Sequence, residues 1–181
     1  MPAPTTATPP RAADRFTPPD PTAPTLYDTL ATPIGELLLT SDGAALTGLH
    51  MLDGELPAPP RGSDWRRSSS DLRAATRQVL AYFAGELTRF EIPLAPSGTA
   101  FQLDVWSALL DIPHGGTASY GEIAAAVGRP TAPRAVGAAN GRNPIAVIVP
   151  CHRVIGSGGA LVGYGGGLDR KRLLLEHERP R

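Results

Sequence analysis

Hydrophobic and polar positions change their pattern twice along the chain, and the changes mark out two units. From Leu26 to Met51 short apolar runs are cut by turn residues at Thr32-Pro33-Ile34-Gly35 and at Asp42-Gly43. This predicts a small meander of strands, with one over Glu36–Thr40 and another ending near Met51. The Pro-, Arg- and Ser-rich stretch 52–70 reads as a loop. Asp71 can then cap a helix reaching Ala84, in which Leu72, Ala75, Val79 and Phe83 recur at helical spacing before Gly85 stops it. Arg89–Leu94 reads as one more strand. The second unit follows a linker at Pro96–Gly98. Thr99 and Gln102 form a capping-box pattern ahead of a helix burying Phe101, Val105, Ala108 and Leu109, and Ser119 with Glu122 repeats the pattern ahead of a helix that Gly128 stops. After Arg129-Pro130-Thr131 a further helix spans about Ala132–Asn140, so the pair is a helix-turn-helix candidate. The expected organisation is a tail (1–24), an α/β N-terminal domain of small antiparallel sheet plus helix (25–95), and a mostly α C-terminal domain (99–181).

Composition adds limits. At 181 residues and 41% hydrophobic the chain can bury a real core, and no stretch is apolar for long enough to span a membrane. The first 24 residues hold eight prolines among Thr and Ala, which predicts a disordered, partly polyproline tail rather than a secretion signal. Net charge is zero, yet residues 1–118 hold 8 Arg against 13 Asp and Glu, and residues 119–181 hold 9 Arg and Lys against 4, giving about −5 and +5. A basic C-terminal half suits a polyanionic partner such as nucleic acid. Its second helix is built of Ala135, Gly137, Ala138 and Ala139 with one long cation, Arg134. It can approach a groove closely but presents few groups able to read bases, so binding without sequence preference is expected.

The chemistry concentrates at Cys151, the only cysteine, in Ile148-Val149-Pro150-Cys151-His152-Arg153-Val154-Ile155. One thiol forms no internal disulfide, and with four scattered His it gives no metal set, so no metal or cofactor is expected and the compartment is read as the reducing cytoplasm. A lone Cys is ordinarily buried filler. Here an apolar strand ends at Pro150, and His152 and Arg153 bring positive charge beside the sulfur. Such surroundings favour a thiolate nucleophile.

Thiol, basic half and helix-turn-helix together resemble the O6-alkylguanine-DNA alkyltransferases, over about Leu26–Glu178. The likeness is strongest in Phe101–Tyr120, Arg134–Val154 and Gly163–Glu178, with Pro150-Cys151-His152-Arg153-Val154 the most specific signature. The resemblance implies irreversible, single-turnover transfer of an alkyl group from O6 of guanine, or O4 of thymine, in a flipped-out base to Cys151. It implies His152 as the base acting through a water, and Glu178 as the carboxylate orienting that histidine. Tyr120 would serve the departing guanine, and Asn143 the cysteine loop. It further implies Arg134 in the stack in place of the extruded base, and the runs Gly156-Ser157-Gly158-Gly159 and Gly163-Tyr164-Gly165-Gly166-Gly167 around the flipped base, with Tyr164 opposite Val154. Arg153, Ala135, Gly137 and Ala138 join the DNA or substrate contacts, and Asn140 sits at a variable pocket position. Gly165 stands where some members carry serine, so backbone N–H groups must serve O6 instead. The implied partner is double-stranded DNA carrying O6-alkylguanine, entered from the minor groove without sequence preference, by a monomer away from membranes.

Three rivals make different demands. A lesion-binding relative that transfers nothing would lack the cysteine. A cysteine hydrolase using Cys151, His152 and Glu178 would turn over repeatedly and needs no helix-turn-helix. A DNA-binding regulator would not need the three reactive groups.

Overall fold

The structure, a computed structural model, describes residues 12–55 and 58–180. Strands β1 (Leu26–Thr32), β2 (Gly35–Ser41) and β3 (Leu46–Met51) form the antiparallel meander read from the turns, and a two-residue strand β4 (Arg66–Arg67) adds to β1 in parallel. The sheet order β3-β2-β1-β4 puts β2 inside, with Leu37 to Ser41 buried. Arg89–Leu94 is not a strand. It meets β3 through a single bridge at Leu46 and Leu94, since Pro93 offers a carbonyl to Leu46 but has no N–H to continue a ladder.

Two helices precede the second unit. Helix α2 (Arg73–Phe83) starts without the expected cap: Leu72 holds the N-cap position, and the Asp71 carboxylate accepts the Ser68 hydroxyl instead. Leu72, Ala75, Val79 and Tyr82 are buried, whereas Phe83 is only partly so. The tail reading changes as well. Ala12–Arg15 form a short helix α1, Ala12 and Phe16 are buried in the core, Thr17 N–H bonds Leu94 C=O at 2.9 Å, and Arg15 pairs with Asp111. The aromatic ring of Phe16 gives this segment enough apolar area to fold back, which its prolines obscured. The rest of the expected tail, residues 1–11, lies outside the described residues.

The C-terminal unit contains α3 (Ala100–Leu109), α4 (Tyr120–Ala126), α5 (Pro133–Gly141) and α6 (Leu168–His177), with a parallel pair of two-residue strands, β5 (Ala118–Ser119) and β6 (Val154–Ile155). Both predicted capping boxes are complete, with side chain and backbone bonded reciprocally at Thr99/Gln102 and Ser119/Glu122. Phe101 and Ala108 are half-buried, because Trp106 takes the inner side of α3 and donates its indole N–H to Ala139 C=O at 2.9 Å. Among the described residues no helix is long and apolar enough to cross a membrane.

The two units meet just ahead of the cysteine. Leu49 on β3 donates to Pro144 C=O at 2.8 Å and accepts from Ala146 N–H at 3.1 Å, so the edge of the N-terminal sheet holds the start of the cysteine segment. Replacing Phe16 by Ala is expected to cost about 3 kcal/mol in urea unfolding, as for a buried aromatic. A loss within about 0.5 kcal/mol, as at an exposed site, would contradict the packing of α1.

Candidate active site

The segment before the cysteine is not the expected strand but a chain of tight turns. Ile148 N–H returns to Ala146 C=O at 2.9 Å around Val147, whose φ is 71°, a rare and strained turn for a β-branched residue. Cys151 N–H likewise returns to Val149 C=O at 2.8 Å around Pro150, at φ −82° and ψ 63°. Asn143 ties the segment together: its Oδ1 accepts Ile145 N–H at 3.0 Å and its Nδ2 donates to Val149 C=O at 2.8 Å. Apolar content suggested a strand, but these turns bury Ile145, Val147, Ile148 and Val149 without a ladder.

Cys151–Arg153 then form a single 3-10 turn, not an extended run. The two reactive side chains diverge because successive residues in such a turn lie about 120° apart, not because strand residues alternate. Asn140 braces the turn, donating Nδ2 to Cys151 C=O at 3.3 Å while its buried Oδ1 has no partner among the described residues.

Glu178, just past α6 and 1% exposed, is the hub of the site. Its Oε1 meets His152 Nε2 at 2.8 Å, Tyr82 hydroxyl at 2.7 Å and Arg153 Nη2 at 2.9 Å, and its Oε2 accepts Arg153 Nε at 2.7 Å and Gly115 N–H at 3.2 Å. Burial alone would push this carboxyl up; the hydrogen bonds from His152 and Arg153 and the arginine charge outweigh it and hold it well below the usual carboxylate range. Gly115 has to be glycine: its φ is 77°, and a Cβ there would lie 2.7 Å from the Glu178 carbonyl oxygen.

Burial pushes His152 down, helped by the Arg153 and Lys171 charges and opposed by Glu178, so the ring is neutral at pH 7. With Nε2–H donated to the carboxylate, Nδ1 is an acceptor with no partner among the described residues. Arg153, expected as a charge beside the sulfur and as a DNA or substrate contact, has its side chain turned inward. It is buried, with Nη1 on Ile112 C=O at 2.6 Å and the remaining donors on Glu178. Burial pushes the Cys151 thiol up, and the forces pulling it down are a hydrogen bond from Asn143 and the charge of Lys171.

Lys171, the only lysine in the chain, is fully buried. Its Nζ donates to Val154 C=O at 2.6 Å, Val162 C=O at 2.7 Å and Gly163 C=O at 3.4 Å. Burial pushes it down to about 8 while Cys151 opposes. The Tyr120 hydroxyl shares two of these acceptors, Val162 C=O at 3.1 Å and Gly163 C=O at 3.4 Å, and burial keeps it a phenol, reinforced by nearby Cys151. Tyr164 is buried with its hydroxyl unpartnered among the described residues, Val154 is fully buried, Gly165 is half-buried and Ser157 exposed. On α5, Arg134, Ala135 and Ala138 form one exposed face and Gly137 is half-buried against the Tyr120 ring. Tyr82 was missed altogether. It lies 96 residues from Glu178 in sequence and on the other unit, and no spacing rule joins them.

A thiol, a neutral imidazole and a buried carboxylate, carried beside a helix-turn-helix, define a cysteine-nucleophile site on a DNA-binding fold. Residues 25–96 match the ribonuclease-like domain of 6-O-methylguanine DNA methyltransferase and residues 100–180 match its DNA binding domain. A methylated-DNA–protein-cysteine methyltransferase of Mycobacterium bovis is 55% identical over 155 residues, covering 86% of this chain and 93% of that protein. One from Methanosarcina barkeri is 51% identical over 156 residues, covering 84% and 96%. The crystal structure of Mycobacterium tuberculosis OGT in complex with DNA superposes with a TM-score of 0.79 at 53% identity, covering 85% of this chain and 92% of that one. The chain belongs to the 6-O-methylguanine DNA methyltransferase family.

Glu178→Gln is expected to cost about 3–5 kcal/mol at pH 7, because it leaves Arg153 buried without its counter-charge. The sign with pH follows from the depressed carboxyl. Its contribution is present above the unfolded value of about 4.3 and is lost as pH falls below that toward the folded value. Urea unfolding of both proteins from pH 7 to pH 3 should therefore show the gap narrowing only in the acid range, and a gap constant down to pH 3 would contradict an ionised Glu178.

Proposed function

We propose that this protein repairs DNA directly, moving the alkyl group of O6-alkylguanine onto Cys151 once per molecule. The observation that carries the reading is the His152–Glu178 contact on the turn that bears Cys151, in which a buried carboxylate holds the imidazole by Nε2 and leaves Nδ1 as the free base. His152 Nδ1 takes the thiol proton through a water. The sulfur then bonds to the saturated alkyl carbon, the carbon–O6 bond breaks, and the electron pair leaves on guanine. Guanine takes a proton delivered through Tyr120, so the proton lost from the thiol and the one gained by the base balance. A phenol kept protonated by burial suits that donation.

The remaining assignments follow from position. The exposed face of Arg134, Ala135 and Ala138 is narrow enough to enter the minor groove, and Arg134 fills the gap left by the extruded base. Asn143 supports the cysteine turn, and Val154, Tyr164, Gly165 and Ser157 bound the base pocket. The exposed cations Arg129, Arg134 and Arg142 supply phosphate attraction independent of sequence, whereas Arg153 and Lys171 are consumed internally. A monomer acting in the reducing cytoplasm fits a thiol that must stay free.

Intact and peptide mass spectrometry after mixing with excess duplex containing one O6-methylguanine tests the reading. One methyl per protein on Cys151, with guanine restored, is expected. An unmodified protein that still binds the lesion would replace transfer by recognition alone, and repeated turnover would point to a hydrolase. Arg134→Ala is expected to slow repair of the duplex about tenfold, roughly 1.4 kcal/mol, while reaction with the free alkylated base is spared. Equal losses on both substrates would remove its part in extrusion.

A further inference from the structure

We propose that Tyr82, in the N-terminal unit, is a positioning residue of the catalytic relay: its hydroxyl holds Glu178 Oε1 and limits how strongly that oxygen draws the His152 proton. The inference rests on the alkyl-transfer reading for its meaning, but its geometry stands alone. Tyr82 is fully buried and its hydroxyl lies 2.7 Å from Oε1, the same oxygen that His152 Nε2 meets at 2.8 Å. An ionised carboxylate offers about four acceptor sites. Glu178 serves five donors, three of them on Oε1: Tyr82, His152 and Arg153. Each donor draws on the same electron density, so the bond from Tyr82 weakens the one to His152.

The tyrosine cannot swing away. Its ring packs on Phe83 at 5.1 Å, Phe90 at 5.5 Å, His177 at 5.0 Å and His114 at 6.1 Å between centroids, and its backbone carbonyl meets His177 Nε2 at 2.7 Å. A buried tyrosine hydroxyl needs some partner. What singles this one out is that it shares the very oxygen used by the base, from a helix in the other unit. The relay is thus assembled from α2, the turn holding Gly115, the Cys151–Arg153 turn and the end of α6.

The consequence has a sign. Without the hydroxyl, Oε1 has one donor fewer, its bond to His152 tightens, and the imidazole keeps its proton to higher pH. The titratable or charged groups facing the relay are Tyr82 from α2, His114 from the loop after α3, Cys151 and Arg153 from the 3-10 turn, Tyr164 from the glycine-rich loop, and Lys171 and His177 from α6. Tyr82→Phe keeps all of these except the one hydroxyl.

The test measures single-turnover methyl transfer from O6-methylguanine duplex against pH, and in parallel the rate at which iodoacetamide modifies Cys151, the only thiol. Tyr82→Phe should move the acid limb of both profiles up by about half a pH unit. Tyr82→3-fluorotyrosine, a stronger donor in nearly the same shape, should move it down and covers the case in which the phenylalanine variant folds poorly. An unshifted limb, or a uniform slowing at every pH, would overturn the proposal and leave the hydroxyl a packing feature. If the parent takes no methyl, the alkyl-transfer reading fails, while the iodoacetamide profiles still decide the role of Tyr82.

Discussion

The contact on which the site depends is the buried carboxylate of Glu178 against His152 and Arg153. Taking three ionisable groups out of water is costly, and it is tolerated here because each oxygen of Glu178 is filled by donors at 2.7 to 3.2 Å. Arg153 supplies the permanent counter-charge. That leaves His152 free to be neutral, so the same carboxylate that anchors the arginine holds the imidazole by Nε2 and leaves its buried Nδ1 as the acceptor that the proposed mechanism uses. Stability and chemistry are carried by one group.

The architecture delivers its parts from distant stretches of chain. The N-terminal unit holds the cysteine segment through Leu49 on β3 and contributes Tyr82 on α2 to the carboxylate. The sharp turns around Val147 and Pro150, pinned by Asn143, carry the chain from α5 to the thiol in a few residues. Lys171 closes the other side by binding the carbonyls of Val154 and Val162, joining β6 to the glycine-rich loop on which Tyr120 also rests.

Much of this was legible in the sequence because it is local. Turn residues marked the meander, two capping boxes marked α3 and α4, and the Pro150–Val154 signature marked the reactive turn. The errors arose where tertiary context overrides local pattern. An apolar run can be buried by turns as well as by a strand, which is why Ile145–Pro150 was misread, and a proline-rich stretch can still dock one aromatic, as Phe16 does. Arg153, two residues after Cys151, suggested a charge beside the thiol, but a 3-10 turn sends nearby side chains to different places. Tyr82 and Lys171 had no local signal: one acts across 96 residues, and the other is defined only by the carbonyls that surround it.

The most direct test of the account is the protonation state of His152, read from the ring nitrogen shifts in a long-range proton–nitrogen NMR spectrum of labelled protein at pH 7. A neutral ring protonated at Nε2, with Nδ1 bare, is the predicted result, and Glu178→Gln should disturb that pattern. A doubly protonated ring, or one carrying its proton on Nδ1, would contradict the claim that Glu178 prepares His152 as the base.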